Sequence, residues 1–349
     1  MEATRRGPMR RALAATLLCP VLLPLPGMAA MPATSRLQAR LFGSPIELLA
    51  AAPAAAALAA ALQLLSHLDR EWNAWKPGAL GRLNRQLRDG REVQVPQPLR
   101  ALIVGARALE WRSGGLFNPA IGGLVGTWGF HDDVLRPGTP PAQHAIEAWT
   151  RGRPSLGDLE WRGDRLRSRN PQLQLDFGAY AKGVAADLAL DVLARAGVRG
   201  AVVNLGGNVA ALGHGPGRPW RVGVRDPFGP GWLAQLETRG REAVVTSGTY
   251  ERWRLLQGRR CSHLIDPRNG QPCEALASVT VVHADAGLAD AAATALAVAG
   301  PRHWPRVAAA LGIDQALVVD AQGRARATPG LWERLRPAPG EGHPAVARG

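Results

Sequence analysis

Leu175-Asp176-Phe177-Gly178-Ala179-Tyr180-Ala181-Lys182-Gly183, with the run that follows to Asn204, decides how this chain is read. An apolar strand end meets an acid at Asp176, and Gly178 permits a tight turn. Helical spacing then continues over Ala179–Ala196 until Gly197 stops it. Gly200–Asn204 predicts a buried strand that ends at Gly206-Gly207. A helix start of this kind offers free backbone N–H groups to an anion. Lys182 adds a charge that can neutralise a phosphate or pair with a carboxylate. Asp176 reads equally as a ligand-binding acid or as a helix cap. The segment holds one of the chain's two lysines and one of its two tyrosines, which sets it apart from a plain core helix.

Working outward, Ala54–Trp72 is helical after Pro53. Pro98–Arg112 places Leu99, Leu102, Ile103, Ala106 and Leu109 on one helical face. Pro137–Gln143 is a Pro-rich loop. Asp158–Ser168 and Gln172–Leu175 predict short strands around a turn at Arg169–Pro171. From Trp220 to His283, short strand-like runs alternate with Gly, Pro and Asp turns. Gly287–Val298 and Pro301–Leu311 are helical, and Ala316–Asp320 pairs with Arg324–Ala327 across Gln322-Gly323. Helices mixed with meandering, mainly antiparallel strands imply an α+β fold, not a doubly wound sheet. The divisions expected are a signal peptide over 1–30, one domain over 37–336 and a flexible tail over 337–349.

The chain has 349 residues, with 46% hydrophobic and 20% charged, which excludes a disordered chain. Net charge is +14, which alone would suggest nucleic acid. The cations, however, are scattered arginines with no block of like charge and no Arg/aromatic stripe, so no nucleic-acid partner is expected. Arg5, Arg6, Arg10 and Arg11 precede the apolar Ala12–Leu25, and small residues at Gly27, Ala29 and Ala30 offer a cleavage site. Export to the periplasm follows as an expectation, with association at the inner membrane left open. Leu17 and Leu18 before Cys19 argue for ordinary cleavage over lipidation. Cys261 and Cys273 would remain, paired or free.

Further segments concentrate glycine and polar residues. Phe117-Asn118-Pro119-Ala120-Ile121-Gly122-Gly123 and Asn204-Leu205-Gly206-Gly207-Asn208 each read as a turn or as a close backbone approach to a ligand. Thr246-Ser247-Gly248-Thr249-Tyr250-Glu251-Arg252 precedes Ser262-His263-Leu264-Ile265-Asp266-Pro267-Arg268-Asn269-Gly270. Asp290 and Thr294 stand i and i+4 on one helix, so a carboxylate and a hydroxyl share a face. That pair suits a hard cation such as Mg2+, or is a helix-start acid with a back-bonded threonine. His263 is a candidate proton shuttle or a structural histidine.

Taken in order, these motifs resemble the ApbE family of FAD:protein FMN transferases, from about Leu41 to about Leu335. Trp75-Lys76-Pro77 with Leu83-Asn84, and Phe117 to Phe130, are similar to the family's earlier segments. The resemblance implies a T-fold-like α+β architecture. It implies Mg2+-dependent transfer of the FMN moiety of FAD to a Thr or Ser hydroxyl of an exported or membrane-bound redox protein, with release of AMP. It implies Ala179, Asp290 and Thr294 as metal ligands, Ala179 through its carbonyl. It implies Phe42, Trp75, Leu116, Phe117, Asn118, Asp176, Lys182 and Ile265 as FAD contacts. His263 is then the candidate acceptor of the hydroxyl proton, with Asp266 to orient it. Asn118 and Asn208 stand where the family often has Asp, and Thr249 where Asp or Asn is usual. A flavin-binding protein without turnover and an Mg2+-dependent FAD pyrophosphatase stay open as alternatives.

Overall fold

A computed structural model describes residues 34–337 and 346–348. The expected signal peptide, with Cys19, lies outside the described residues, as does most of the expected tail. Among the described residues nine strands form the main sheet, in sequence order from one edge to the other. They are β1 (Ser35–Leu41), β2 (Ser44–Ala50), β3 (Ala201–Leu205), β4 (Asn208–Leu212), β5 (Glu242–Gly248), β6 (Leu276–His283), β7 (Ala316–Asp320), β8 (Ala325–Ala327) and β9 (Val346–Arg348). Every neighbouring pair is antiparallel except β8 and β9. β9 lies inside the segment expected to be a loose tail, so part of that tail is ordered into the sheet edge.

Both faces of this sheet are buried, and the strands read accordingly as continuous apolar runs. Val203, Val245, Val281 and Val318 point into the larger core with helices α1 (Ala55–Glu71), α6 (Ala181–Arg195) and α7 (Ala286–Ala310). Their neighbours Val202, Val244, Val282 and Val319 point the other way. There they meet Trp220, Val222 and Leu233, from or beside the hairpin of Arg221–Arg225 with Trp232–Glu237. Helices α2 (Ala79–Arg88) and α3 (Gln97–Arg112) extend the larger core. Helices α4 (Gly122–Thr127) and α5 (Gln143–Gly152) build a third cluster with the hairpin of Trp253–Leu256 and Arg259–Ser262. Helix α7 is two helices meeting at Gly300 (φ +74°), just before Pro301, as the two separate apolar repeats predict. No helix among the described residues is long and apolar enough to cross a membrane.

Two expectations are corrected. The predicted hairpin turn at Arg169–Pro171 falls instead at Gly163-Asp164, between Leu159–Arg162 and Arg165–Ser168. Gln172–Leu175 is not a strand but makes a single bridge, Gln174 to Ile121. The cause is the buried Asn84, whose amide donates to the Leu175 carbonyl and accepts from the Leu175 N–H, both at 2.8 Å. A side chain thus satisfies the backbone groups that a neighbouring strand would otherwise use. Cys261 and Cys273 are both free thiols.

Helices α6 and α7 lie close because their contact is small-residue: Ala185, Ala186, Ala189, Ala289, Ala292 and Ala293 are all buried. Gly183 is the tightest point, where an added Cβ would stand 2.1 Å from the Ala286 carbonyl oxygen. Gly183→Ala is therefore expected to force the helices apart and lower stability by about 2–4 kcal/mol. Urea denaturation of the apo protein reads this directly, and an unchanged midpoint would contradict the packing described.

Candidate active site

The two helices exchange caps where their N-termini meet. Asp187 of α6 accepts from the Ala286 N–H at 2.8 Å, at the start of α7. Asp290 of α7 accepts in return from the Gly183 N–H at 3.0 Å, in the first turn of α6. Asp285 caps α7 locally through the Leu288 N–H at 2.8 Å. The positive end of each helix thus meets an acid of the other, and Lys182 adds its charge at the start of α6. Lys182 forms no salt bridge among the described residues, and its charge acts on Asp290, Glu251 and His263.

Burial pushes the Asp290 carboxyl above its ordinary range, opposed by Lys182, the Gly183 N–H and the Asn208 amide. The buried Asn208 Nδ2 makes no well-formed hydrogen bond among the described residues. Thr294, one turn beyond Asp290, places its hydroxyl 3.3 Å from that of Ser247 on β5. The Gly183 N–H, which a longer helix would give to the Ala179 carbonyl, goes to Asp290 instead. No backbone N–H among the described residues donates to that carbonyl. One buried carboxylate, one hydroxyl and one free carbonyl make an all-oxygen donor set, which fits Mg2+ and not a soft metal. The desolvated Asp290 charge gives a cation something to compensate.

A second group of side chains gathers around Asp176 and His263, which we call the mouth of the site. The Trp75 indole N–H donates to Asp176 Oδ2 at 3.1 Å, while Asp176 Oδ1 accepts from the Gly178 N–H at 2.8 Å. Asp176 therefore caps its own turn and positions Trp75 as well. Burial raises its carboxyl, against the Gly178 N–H, the indole and the Arg252 charge. The Trp75 ring lies 5.6 Å from that of His131. His263 Nδ1 stands 2.9 Å from the Arg252 carbonyl oxygen. A carbonyl can only accept, so Nδ1 carries the proton and Nε2 keeps its lone pair. Burial lowers the imidazole to about 4, against the hydrogen bond to the Arg252 carbonyl and with the Arg252 and Lys182 charges. Glu251 opens to solvent at the rim, where water weakens the upward push on its carboxyl from the protein around it.

Asp266, expected to orient His263, does not touch it. Its two oxygens are held by Arg268, with Oδ2 2.7 Å from a guanidinium nitrogen, and its carbonyl accepts from the Gly270 N–H. This carboxylate organises its own turn, and the Arg252 carbonyl takes the role assigned to it. Among the expected flavin contacts, the Phe117 and Ile265 side chains are buried in separate apolar clusters, so only their backbones can face a ligand. The Leu116 and Phe117 carbonyls and the Asn118 N–H carry no hydrogen bond among the described residues, leaving a free edge. Asn118 turns its side chain to the Pro154 carbonyl and the Ala120 N–H, both at 2.9 Å, towards a cavity of about 560 Å3 also lined by Glu110 and Trp149. Phe42 sits at the β1–β2 turn with φ +52°, its N–H given to Asp69. Ser247, Glu251 and Arg252 carried no assigned role in the sequence. They lie in the run already singled out, but arginine is so common in this chain that composition hides Arg252.

Comparison with known proteins covers the same ground. The model of the ApbE family matches residues 42–317. An FAD:protein FMN transferase of Rhodobacter capsulatus is 45% identical over 282 residues, covering 80% of this chain. The match covers 53% of that relative, so the chain spans about half its length. One of Treponema pallidum is 35% identical over 285 residues, with 74% of this chain and 75% of that protein covered. The crystal structure of the ApbE protein from Thermotoga maritima superposes with a TM-score of 0.79 at 25% identity, over 87% of this chain and all of that one. The matched span takes in both helix N-termini, the free backbone edge and the His263 turn, and on that ground the chain belongs to the ApbE family.

Proposed function

We propose that this protein is an FAD:protein FMN transferase that works on exported proteins. The observation that carries the reading is the start of α6, with the Gly183 N–H and the Lys182 charge, set against the oxygen group of Asp290, Thr294 and Ala179. Such a place suits a pyrophosphate. FAD lies with its pyrophosphate there and its rings reaching Trp75 and the Leu116–Asn118 edge. A Thr or Ser hydroxyl of the acceptor protein attacks the FMN phosphorus. The new P–O bond is a phosphodiester, the bond to the AMP phosphate breaks, and His263 Nε2 takes the hydroxyl proton. Mg2+ held by Asp290, Thr294 and the Ala179 carbonyl supplies neutralisation of pyrophosphate charge. The acceptor is a periplasmic or membrane-bound redox subunit, which the charged first residues and apolar run before residue 30 support.

The test mixes purified protein, FAD, Mg2+ and a candidate acceptor, then reads in-gel flavin fluorescence and AMP. A fluorescent acceptor band with equimolar AMP, both abolished by EDTA, is the expected result. AMP with FMN and no labelled acceptor would identify a pyrophosphatase. Flavin binding with neither product would identify a binding protein.

A further inference from the structure

Arg252 belongs to no role in the transfer chemistry above, yet it binds two parts of the site, at Asp132 and His263, and its charge reaches a third. Its guanidinium donates to the Asp132 carbonyl at 2.5 Å, tying down the loop after α4. It faces the Asp176, Asp133 and Asp132 carboxylates, which oppose the loss of its own proton on burial. Its backbone carbonyl receives both the His263 N–H at 3.1 Å and the His263 Nδ1 at 2.9 Å. The other groups around the His263 ring are the Phe130 ring, edge-on at 6.3 Å, and the Lys182 charge from the start of α6. Both charges bearing on this imidazole are cations. Asp266, the nearest carboxylate in sequence, is turned away and held by Arg268.

We infer that Arg252 is a positioning residue for His263: its carbonyl sets the tautomer that frees Nε2, and its guanidinium, anchored on the Asp132 carbonyl, fixes the place of that residue and of its positive charge. This rests on His263 accepting a proton in flavin transfer. The arrangement is the reverse of a hydrolase dyad, where a carboxylate stabilises the imidazolium. Here burial, aided by the cation, keeps the ring uncharged and ready, and the one bond that favours its charged form is the one to the Arg252 carbonyl. The same guanidinium charge bears on Asp176, so one residue acts on the turn that carries Trp75's partner through its charge and on the turn that carries the base through its carbonyl.

The test needs no bound FAD. Nitrogen-15 NMR of the apo protein reads the tautomer and titration of His263, with His263→Gln assigning the signal. Nδ1 is expected to carry the proton in the native protein. Arg252→Met should raise the His263 titration toward the ordinary imidazole value of about 6.5, while Arg252→Lys keeps it near native. Arg252→Gln serves as a second neutral variant should the methionine not fold. The acid limb of flavin transfer should move upward with the titration in the neutral variants. An unchanged titration in both neutral variants, or a native ring protonated on Nε2, overturns the inference. If the native protein labels no acceptor but the titration still moves, the transfer reading fails and the positioning role stands.

Discussion

Asp290→Asn is expected to lower flavin transfer on the order of a thousandfold, the scale of removing a group that stabilises developing charge. The isosteric amide can still accept from the Gly183 N–H through its oxygen, so the clasp between α6 and α7 survives. What is lost is the one carboxylate of the oxygen set. Apo stability should move the opposite way. Asp290 is held above its ordinary carboxyl value by burial, so the folded state binds its proton more tightly than the unfolded chain does. Stability is then full below the unfolded value of about 3.9 and declines as pH rises through the raised folded value. Asparagine removes that decline. Thermal melts at pH 7 without metal should therefore show Asp290→Asn at or above the native protein. Added Mg2+ should raise the native midpoint and leave the variant where it was. A variant that labels acceptor at the native rate, or gains equally from Mg2+, would show that the cation is held elsewhere.

Much of this site is legible in the sequence because its parts are local. A turn that must be tight and a helix that must begin at a fixed place leave marks within a few residues, as Asp176 to Gly183 does. The i, i+4 pair of Asp290 and Thr294 needs only the period of one helix. The sheet is legible for the same reason: runs such as Ala201–Val203 and Ala316–Val319 are apolar at every position because both faces are covered. What escapes is pairing across distance. Nothing near Leu175 says that Asn84, 91 residues earlier, completes its backbone bonds and prevents a strand. Nothing near Asp266 says that Arg268 holds it, although the two are neighbours, since sequence spacing does not give the direction a side chain turns. The exchange of caps between Asp187 and Asp290 is likewise invisible until the helices are packed.

His263→Gln is expected to slow transfer roughly 10²–10⁴-fold, the range for a general base, while leaving FAD affinity unchanged. The glutamine amide can still donate to the Arg252 carbonyl, so the turn keeps its shape and only the lone pair at Nε2 is lost. A base must be uncharged to act, and burial, joined by two cations and opposed by the Arg252 carbonyl, lowers this imidazole to about 4. Transfer by the native protein should therefore hold level from pH 8 to pH 5 and fall below that, instead of near the ordinary imidazole value of about 6.5. Stability carries the same signature with its own sign. Between about 6.5 and 4 the unfolded chain binds a proton at this residue and the folded protein does not, so the folded state loses stability as pH falls through that window. Glutamine cannot titrate, so the variant's melting temperature should depend less on pH there. Equal loss of transfer at every pH, with a melting profile identical to native, would place His263 in the packing of the mouth and leave the proton to another acceptor.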